Sequence, residues 1–371
     1  MSRLNSTDPV RPASRVAGDN PGRGPAGAQR KESEAPVARK ALWISNVHAF
    51  AFTIGMSLSF AACAELNGSG ALNESDAMDT PMVRQSVIST VKVLNEVYVY
   101  PETARSVGVE MIKRLESGVY DRISTKQAFA DRIGSELAEL SKDGHLGVLV
   151  AEGEEPPTHV LKETVDRFKL NYAFQKVEIL DGNIGYLKFN KFHQDEEAQA
   201  IADHAFGFLG GADALIIDLT ECKGGSPDLV SHMLSYFFSD KTLLWSIYDR
   251  KGVSVYDAYS SSVGTARFKS DFPVFILTGP DTASAAELFA YTLKTYGKAK
   301  TVGQRTDGIA HLVGALPINE HFVGRFSTYR NVNPVTKSNW EGVGIAPDTN
   351  AAPEDSLNVA IRMATASIER K

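Results

Sequence analysis

The sequence predicts an α/β fold preceded by a small helical domain, and two patterns support this prediction. Between residues 80 and 142, apolar side chains recur at every third or fourth position, which is the period of a helix with one buried face. From about residue 170, short apolar runs alternate with helical stretches, which indicates a sheet with parallel strands. The chain has 371 residues, 43% hydrophobic and 23% charged, so it can bury a sizeable core.

The first 79 residues are predicted to lie outside this fold. Residues 1–40 are rich in Pro, Gly, Arg and Ser and lack apolar periodicity, so we expect a disordered lead. Residues 41–64 carry an apolar stretch that follows basic residues and ends in small ones, a pattern typical of an export signal. Residues 65–79 are polar and would form a linker.

The end of this segment is compatible with three hypotheses about its processing. Ala62-Cys63-Ala64 is similar to a signal-peptide cleavage site, whereas Phe60-Ala61-Ala62-Cys63 resembles a bacterial lipobox in which Cys63 would be lipidated. The apolar stretch also approaches the length of a transmembrane anchor. Either cleavage would give an exported protein, periplasmic or on the outer surface, free or held by a lipid.

Residues 80–142 are predicted to form the helical domain, with three apolar stripes. The stripes are Val83, Val87, Val91 and Leu94; Val107, Met111 and Leu115; and Phe129, Ile133, Leu137 and Leu140. Gly118 ends the second stripe, and Ser124 with Gln127 predicts a capping box before the third. We find no candidate for chemistry in this segment.

Residues 143–182 are predicted to be a connecting segment with a first strand, and residues 183–371 the core. Asp181-Gly182-Asn183 between two strand-like runs indicates a hairpin. The predicted strands are 172–180, 184–189, 214–219 and 274–278, and the predicted helices are 198–209, 228–238 and 284–296.

Composition excludes several classes of function. The net charge of −6, with no long basic run beyond the N-terminus, argues against nucleic-acid binding. The two cysteines, Cys63 and Cys222, form neither a C-x-x-C motif nor a disulfide framework, so a zinc ribbon is not expected. We expect no metal and no organic cofactor.

Ser284 is the candidate nucleophile. An apolar run ends in Thr278-Gly279-Pro280, and a helix is predicted to begin at Ser284. A hydroxyl at this position meets the unpaired N–H groups and the positive end of the helix dipole, which can stabilise an oxyanion. Ser284-Ala285-Ala286-Glu287 is also a capping box, which requires no catalysis, and this alternative stays open.

Two further loops could complete a site around this serine. Gly224 and Gly225 follow a predicted strand and permit a close backbone approach, so an N–H group there could donate to an oxyanion, or the loop could be an ordinary turn. Asp143-Gly144-His145 supplies a histidine, the usual base for a serine near neutral pH. His311 and His321 are the rival bases.

Taken together, these loops resemble the C-terminal-processing, or tail-specific, serine peptidases. That family includes the tricorn protease core and the modules of the interphotoreceptor retinoid-binding protein. The matching stretches, in family order, are Asp143-Gly144-His145, Gly185-Tyr186-Leu187, Leu215-Ile216-Ile217-Asp218-Leu219 with Gly224-Gly225, Thr282-Ala283-Ser284-Ala285-Ala286-Glu287, and Asn339-Trp340-Glu341-Gly342-Val343-Gly344 with Pro347-Asp348.

The resemblance implies a crotonase- or ClpP-like β/α core in which Ser284 attacks a peptide carbonyl. The tail-specific branch uses a lysine where this chain has Ile309. The tricorn-like branch uses a histidine and a distant glutamate, which correspond to His145 and Glu341. The resemblance therefore implies a Ser284–His145–Glu341 relay through an acyl-enzyme, with the N–H groups of Gly225 and Ala285 as oxyanion donors. Gly144 departs from the serine that the tricorn-like branch has before its histidine.

The resemblance also sets expectations about partners and domains. It implies a peptide or protein substrate, no cofactor, and a homo-oligomer, since relatives in this family often assemble. Residues 146–182 are too few for the PDZ module that many family members carry. The retinoid-binding and bacterial tricorn-like relatives also lack this module.

Two alternatives to a peptidase remain. Retinoid-binding relatives use this scaffold to hold hydrophobic ligands without catalysis, and a fold does not fix a function. A carbon–carbon or thioester enzyme on the related crotonase scaffold ranks last, because the sequence gives no support for a coenzyme A site.

Overall fold

A computed structural model describes residues 76–151, 167–239, 241–263, 268 and 271–370. All of them belong to one compact unit, Ala49–Lys371. The predicted disordered lead, the export segment with Cys63, and the linker up to residue 75 lie outside the described residues.

The described part of the chain contains seven α-helices and eleven strands. The helices are α1 (Thr80–Val97), α2 (Pro101–Glu116), α3 (Lys126–Ser141), α4 (Glu196–Leu209), α5 (Pro227–Leu234), α6 (Ala285–Thr295) and α7 (Ser356–Ile368). The strands are β1 (Gly147–Val150), β2 (Phe174–Leu180), β3 (Ile184–Phe189), β4 (Ala214–Asp218), β5 (Leu243–Tyr248), β6 (Ser254–Tyr259), β7 (Val274–Thr278), β8 (Lys300–Gly303), β9 (His311–Pro317), β10 (Phe322–Val332) and β11 (Thr349–Asn350). Each helix in this part of the chain is too short or too polar to span a bilayer.

Helices α1 to α3 form where the apolar stripes predicted them. Asp79 caps α1 by accepting a hydrogen bond from the Met82 N–H group at 2.8 Å, and Pro101 opens α2, where a proline needs no N–H partner. The capping residue of α3 is Thr125, whose side chain accepts from the Ala128 N–H group at 3.2 Å. The predicted cap, Ser124, is therefore one residue too early.

The central sheet has six strands in the order β11-β8-β7-β4-β3-β2. Its strands are parallel except for β2, which forms the predicted hairpin with β3. Alternate residues of β4 face opposite sides, as the pleat requires: Leu215 and Ile217 pack toward α4, α5 and α6, whereas Ile216 packs toward α7. Helices on both faces bury this sheet, and the predicted α/β fold class is confirmed.

A second, antiparallel sheet packs beside the helical region. Its order is β1-β10-β5-β6, and β9 also pairs with β10. Phe322 and Phe326 of β10 are fully buried in one cluster with Phe129 of α3 and Val87 of α1. The strand predicted within residues 143–182 was 172–180, but the segment also supplies β1 to this second sheet, and β1 positions the residues that precede it.

Candidate active site

Ser284 lies on a strained turn between β7 and α6. Its backbone has φ 55° and ψ −117°, a region that residues with a side chain rarely adopt and that occurs preferentially at functional sites. The side chain is half-buried, directly before the first residue of α6. This geometry has the features of a nucleophile elbow, in which a sharp strand-to-helix turn presents a hydroxyl beside helix N–H groups.

The loop after β4 holds this turn from the other side. Thr282 Oγ1 donates to the Leu219 carbonyl at 2.8 Å, and the Ala283 N–H group donates to the Cys222 carbonyl at 3.0 Å. A Cβ atom added at Gly224 would lie 2.7 Å from the Ala285 nitrogen, so only glycine lets the two loops approach this closely. The structure thus brings together the serine turn and the glycine pair that the sequence analysis selected.

Gly225 has a second reason to be glycine. Its φ is +138°, and an added Cβ would lie 2.0 Å from the Phe192 carbonyl oxygen. The Ser226 N–H group donates to that same oxygen at 2.7 Å. These contacts hold the Gly225 backbone against Phe192, on the side of the loop that follows Gly224.

Glu287 is fully buried at the third position of α6 and binds four donors. Its carboxylate accepts from the Ser284 N–H group at 2.9 Å, Thr306 Oγ1 at 2.5 Å, and the N–H groups of Gly308 at 2.8 Å and Ile309 at 3.0 Å. Burial raises the pKa of Glu287 to about 7, although all four hydrogen bonds oppose this shift. The glutamate expected from the capping box therefore also anchors the loop that follows β8.

Glu341 binds the next two N–H groups of that loop. Its Oε2 accepts from Ala310 at 2.6 Å and from His311 at 3.2 Å, and it also lies 3.3 Å from His311 Nδ1. Burial, and then the charge of Asp143, raise the pKa of Glu341, while His311 opposes them. Glu341 was predicted to orient His145, but its contacts are with His311.

Asp143 lies between two histidines. Its Oδ2 atom is 2.9 Å from His311 Nδ1 and accepts from the Tyr98 hydroxyl at 3.1 Å, while Oδ1 accepts from the His145 N–H group at 2.9 Å. Burial alone would raise the pKa of Asp143, but the hydrogen bond and charge of His311 outweigh it and lower that pKa. Sequence reasoning treated Asp143 only as part of a motif and found no signal for this role.

His145 is buried directly before β1. Its Nδ1 atom has no hydrogen-bond partner and lies 3.7 Å from Asp143 Oδ1. Burial lowers the pKa of His145 to about 4, against the attraction of Asp143, so the imidazole is neutral at neutral pH. No hydrogen bond joins His145 to Ser284 or to Glu341 in the described part of the chain.

The His145 loop nevertheless approaches the serine turn through one intermediate residue. A Cβ atom added at Gly144 would lie 3.1 Å from Ile309 Cγ2, and the Ile309 N–H group shares the Glu287 carboxylate with that of Ser284. Of the two rival bases, His311 contacts Asp143 and Glu341, whereas His321 lies at the far end of the β9–β10 hairpin.

Comparison with known families agrees with this arrangement. The family model described as "Peptidase family S41" matches residues 183–351, and the model of the N-terminal domain of this peptidase in eukaryotic IRBP matches residues 80–177. The N-terminal match covers the helical region and the second match covers most of the core, which is the domain order that the sequence analysis predicted. The part of the chain from residue 80 to residue 351 belongs to peptidase family S41. The resemblance to this family that the sequence analysis found is confirmed.

Curated relatives of this S41 chain are distant and longer. A carboxyl-terminal-processing protease from Picosynechococcus is 28% identical over 181 residues, 47% of this chain and 42% of the relative. The chloroplastic carboxyl-terminal-processing peptidase 2 of Arabidopsis thaliana is 28% identical over 202 residues, 52% of this chain and 38% of the relative. The chain thus matches about two fifths of the length of these relatives.

Solved structures share the fold of this S41 chain. A protein from Parabacteroides merdae superposes with a TM-score of 0.56 at 21% identity, covering 77% of this chain and 97% of that one. A lipoprotein from Streptococcus agalactiae gives a TM-score of 0.51 at 16% identity, covering 77% of this chain and 96% of that one. At these identities the likeness concerns the fold alone.

Proposed function

We propose that this S41 chain is a serine peptidase with Ser284 as its nucleophile. The observation that supports this most directly is the strained Ser284 turn at the start of α6, with Gly224 packed against it. An ordinary capping serine has no need of a φ of 55°, because N-cap residues normally adopt extended backbone. The strain therefore favours a role beyond capping.

The proposed reaction proceeds through an acyl-enzyme. Neutral His145 takes the proton of the Ser284 hydroxyl as the oxygen attacks the carbonyl carbon of a peptide bond, and the N–H groups of Gly225 and Ala285 stabilise the oxyanion. The imidazolium then gives its proton to the leaving amine as the carbon–nitrogen bond breaks. Water hydrolyses the ester by the reverse sequence, which releases the acid and restores the serine.

The relay requires the His145 imidazole to turn from Asp143 toward Ser284. Its unpartnered Nδ1 atom supports this proposal, because no hydrogen bond to that atom must break for the ring to move. Glu341 also has an unpartnered oxygen, Oε1, that could accept from the imidazolium. Catalytic hydrogen bonds are often long or absent until substrate binds.

A non-catalytic binding function is the second candidate. It is favoured by the match of residues 80–177 to the N-terminal domain found in eukaryotic IRBP. On this alternative, the chain would hold a hydrophobic ligand, and Ser284 would only cap α6. The two functions differ in whether the Ser284 hydroxyl is reactive.

Reaction with a fluorophosphonate, mapped by mass spectrometry, tests the proposal. We expect a single labelled residue, Ser284, and loss of both labelling and peptide hydrolysis in Ser284→Ala with an unchanged thermal midpoint. Ser338→Ala is a matched control, because Ser338 is an exposed serine remote from α6 in sequence. A chain that hydrolyses peptides equally well after Ser284→Ala would refute the assignment, and a folded chain without labelling would favour ligand binding.

Export of the mature protein is a further part of this proposal and rests on residues 41–64 alone. Mass spectrometry of the mature N-terminus distinguishes its forms. A diacylglyceryl Cys63 at the terminus would establish a lipoprotein, whereas cleavage after Ala64 would establish a free exported protein. An intact Met1 in the mature protein would contradict both.

A further inference from the structure

Four side chains with metal-binding chemistry converge at the start of β1 and β9. They are Asp143, His145, His311 and Glu341. Asp143 Oδ2 lies 2.9 Å from His311 Nδ1, which lies 3.3 Å from Glu341 Oε2, and His145 Nδ1 lies 3.7 Å from Asp143 Oδ1. One ligand atom each from Asp143, His311 and Glu341 lies within 4.8 Å of the others.

Three of these side chains, those of His145, His311 and Glu341, have a polar atom without a hydrogen-bond partner. His145 Nδ1 is buried with no hydrogen bond, in a side chain only 8% exposed, and it is directed at the Asp143 carboxylate without reaching it. His311 Nε2 and Glu341 Oε1 are equally unpartnered. Buried polar atoms are nearly always hydrogen-bonded in native proteins, so three such atoms in one cluster indicate a missing ligand.

The charge of the cluster also requires a partner. Two carboxylates, one on Asp143 and one on Glu341, lie close together with side chains only 1% and 13% exposed. Burying two like charges is costly unless a positive charge neutralises them. The neutralising charge can be a proton on His311 or a cation that takes the place of that proton.

We propose that Asp143, His145, His311 and Glu341 form a binding site for a divalent transition-metal ion such as Zn²⁺. A tetrahedral Zn²⁺ with ligands at about 2.0–2.2 Å needs ligand atoms about 3.3–3.6 Å apart. The distances from His311 Nδ1 to Asp143 Oδ2 and to Glu341 Oε2, 2.9 and 3.3 Å, are close to this spacing, and His145 Nδ1 approaches the other Asp143 oxygen at 3.7 Å. Two imidazoles with two carboxylates suit Zn²⁺ or Co²⁺, whereas Ca²⁺ and Mg²⁺ prefer oxygen ligands.

The surroundings already orient the ligands. The Tyr98 hydroxyl donates to Asp143 at 3.1 Å, and the Ala310 N–H group donates to Glu341 at 2.6 Å. Such supporting hydrogen bonds fix ligating side chains in known metal sites. Glu341 is the most exposed of the four and marks the side from which an ion would enter.

The site has a regulatory consequence that rests on the proposed function. An ion that holds His145 Nδ1 and Glu341 would keep the imidazole from turning toward Ser284. Zn²⁺ would then inhibit hydrolysis reversibly, and a chelator would restore it.

Cobalt titration of the full, tag-free chain tests the site without any activity measurement. After chelator treatment and dialysis, Co²⁺ should produce a saturable absorption between about 500 and 650 nm at one ion per chain, and Zn²⁺ should displace it. We expect His145→Gln and His311→Gln each to weaken binding at least about tenfold. Ser284→Ala should bind like the unaltered chain, so the site and the proposed peptidase can fail separately.

Two controls make a negative result informative. His145→Gln removes an imidazole whose Nδ1 has no partner, so the fold should survive, as judged by an unchanged thermal midpoint. His232→Gln alters a histidine paired with Asp203 at 2.6 Å on another face of the core and should leave binding unchanged. Absence of saturable cobalt absorption would overturn the proposal, and so would binding that survives both His145→Gln and His311→Gln.

Discussion

Glu287 and Glu341 bind four successive backbone N–H groups of one loop, two each. Glu287 accepts from Gly308 and Ile309 at 2.8 and 3.0 Å, and Glu341 accepts from Ala310 and His311 at 2.6 and 3.2 Å. Because Glu287 also accepts from the Ser284 N–H group, this loop ties the serine turn to the histidine at the start of β9. The position where tail-specific peptidases carry a lysine, Ile309, is part of this loop.

Glu287→Gln should destabilise the protein by about 2–4 kcal/mol. The amide nitrogen would replace one acceptor oxygen and face N–H donors, leaving buried donors unsatisfied. Urea unfolding measures the free energy of unfolding, and fluorophosphonate labelling reports on the turn. Glu354→Gln is the matched control, because Glu354 is exposed, and its stability should change by less than about 0.5 kcal/mol. Equal stability of both variants would show that the four hydrogen bonds contribute nothing.

The buried Glu287 carboxyl should also make stability depend on pH. Its pKa rises from 4.5 to about 7 on folding, so the folded state binds more protons between these values. The contribution is fully present below about pH 4.5 and is lost as the pH rises through about 7, a decrease on the order of 3 kcal/mol. The unfolding free energy of the unaltered chain minus that of Glu287→Gln should therefore fall from pH 5 to pH 8. A difference that rises instead would mean that the four donors outweigh burial.

The sequence predicts those parts of this structure that depend on local pattern. Helices α1 to α3 and the buried strands β4 and β7 have a helical period or a continuous apolar run, and both signals survive without tertiary information. The antiparallel sheet was missed because its strands are only half-buried; β6, for example, exposes Ser254, Asp257 and Tyr259.

In the candidate site, too, the sequence predicted the residue marked by a local pattern and missed a contact between distant parts of the chain. Ser284 was found because strand, Gly-Pro turn and helix follow one another in the sequence. The pairing of Asp143 with His311 was not found, because 168 residues separate them and β10 brings them together by pairing with both β1 and β9. No local pattern marks such a contact, so Glu341 was assigned to His145 by family resemblance instead.

His145 should act as a base down to unusually low pH. Because burial lowers its pKa to about 4, the imidazole remains unprotonated, and able to accept the serine proton, above that pH. The rate of fluorophosphonate labelling, measured with chelator present, should stay constant from about pH 8 to pH 5 and fall by half near pH 4. Circular dichroism at each pH ensures that unfolding does not cause the decline. A midpoint near pH 6.5 would instead indicate an unburied histidine as the base.

Gly224→Ala should disable the serine turn while leaving the rest of the core folded. The added Cβ would lie 2.7 Å from both the Ala285 nitrogen and the Ala283 carbonyl oxygen, and a φ of +88° disfavours any side chain. The two loops must then separate, so we expect at least about a hundredfold loss of labelling at Ser284, with a stability loss of about 1–3 kcal/mol. Gly207→Ala is the matched control: an added Cβ there meets nothing within 4 Å, and alanine should stabilise α4 by about 0.5–1 kcal/mol. Undiminished labelling in Gly224→Ala would mean that the glycine loop takes no part in forming the oxyanion site.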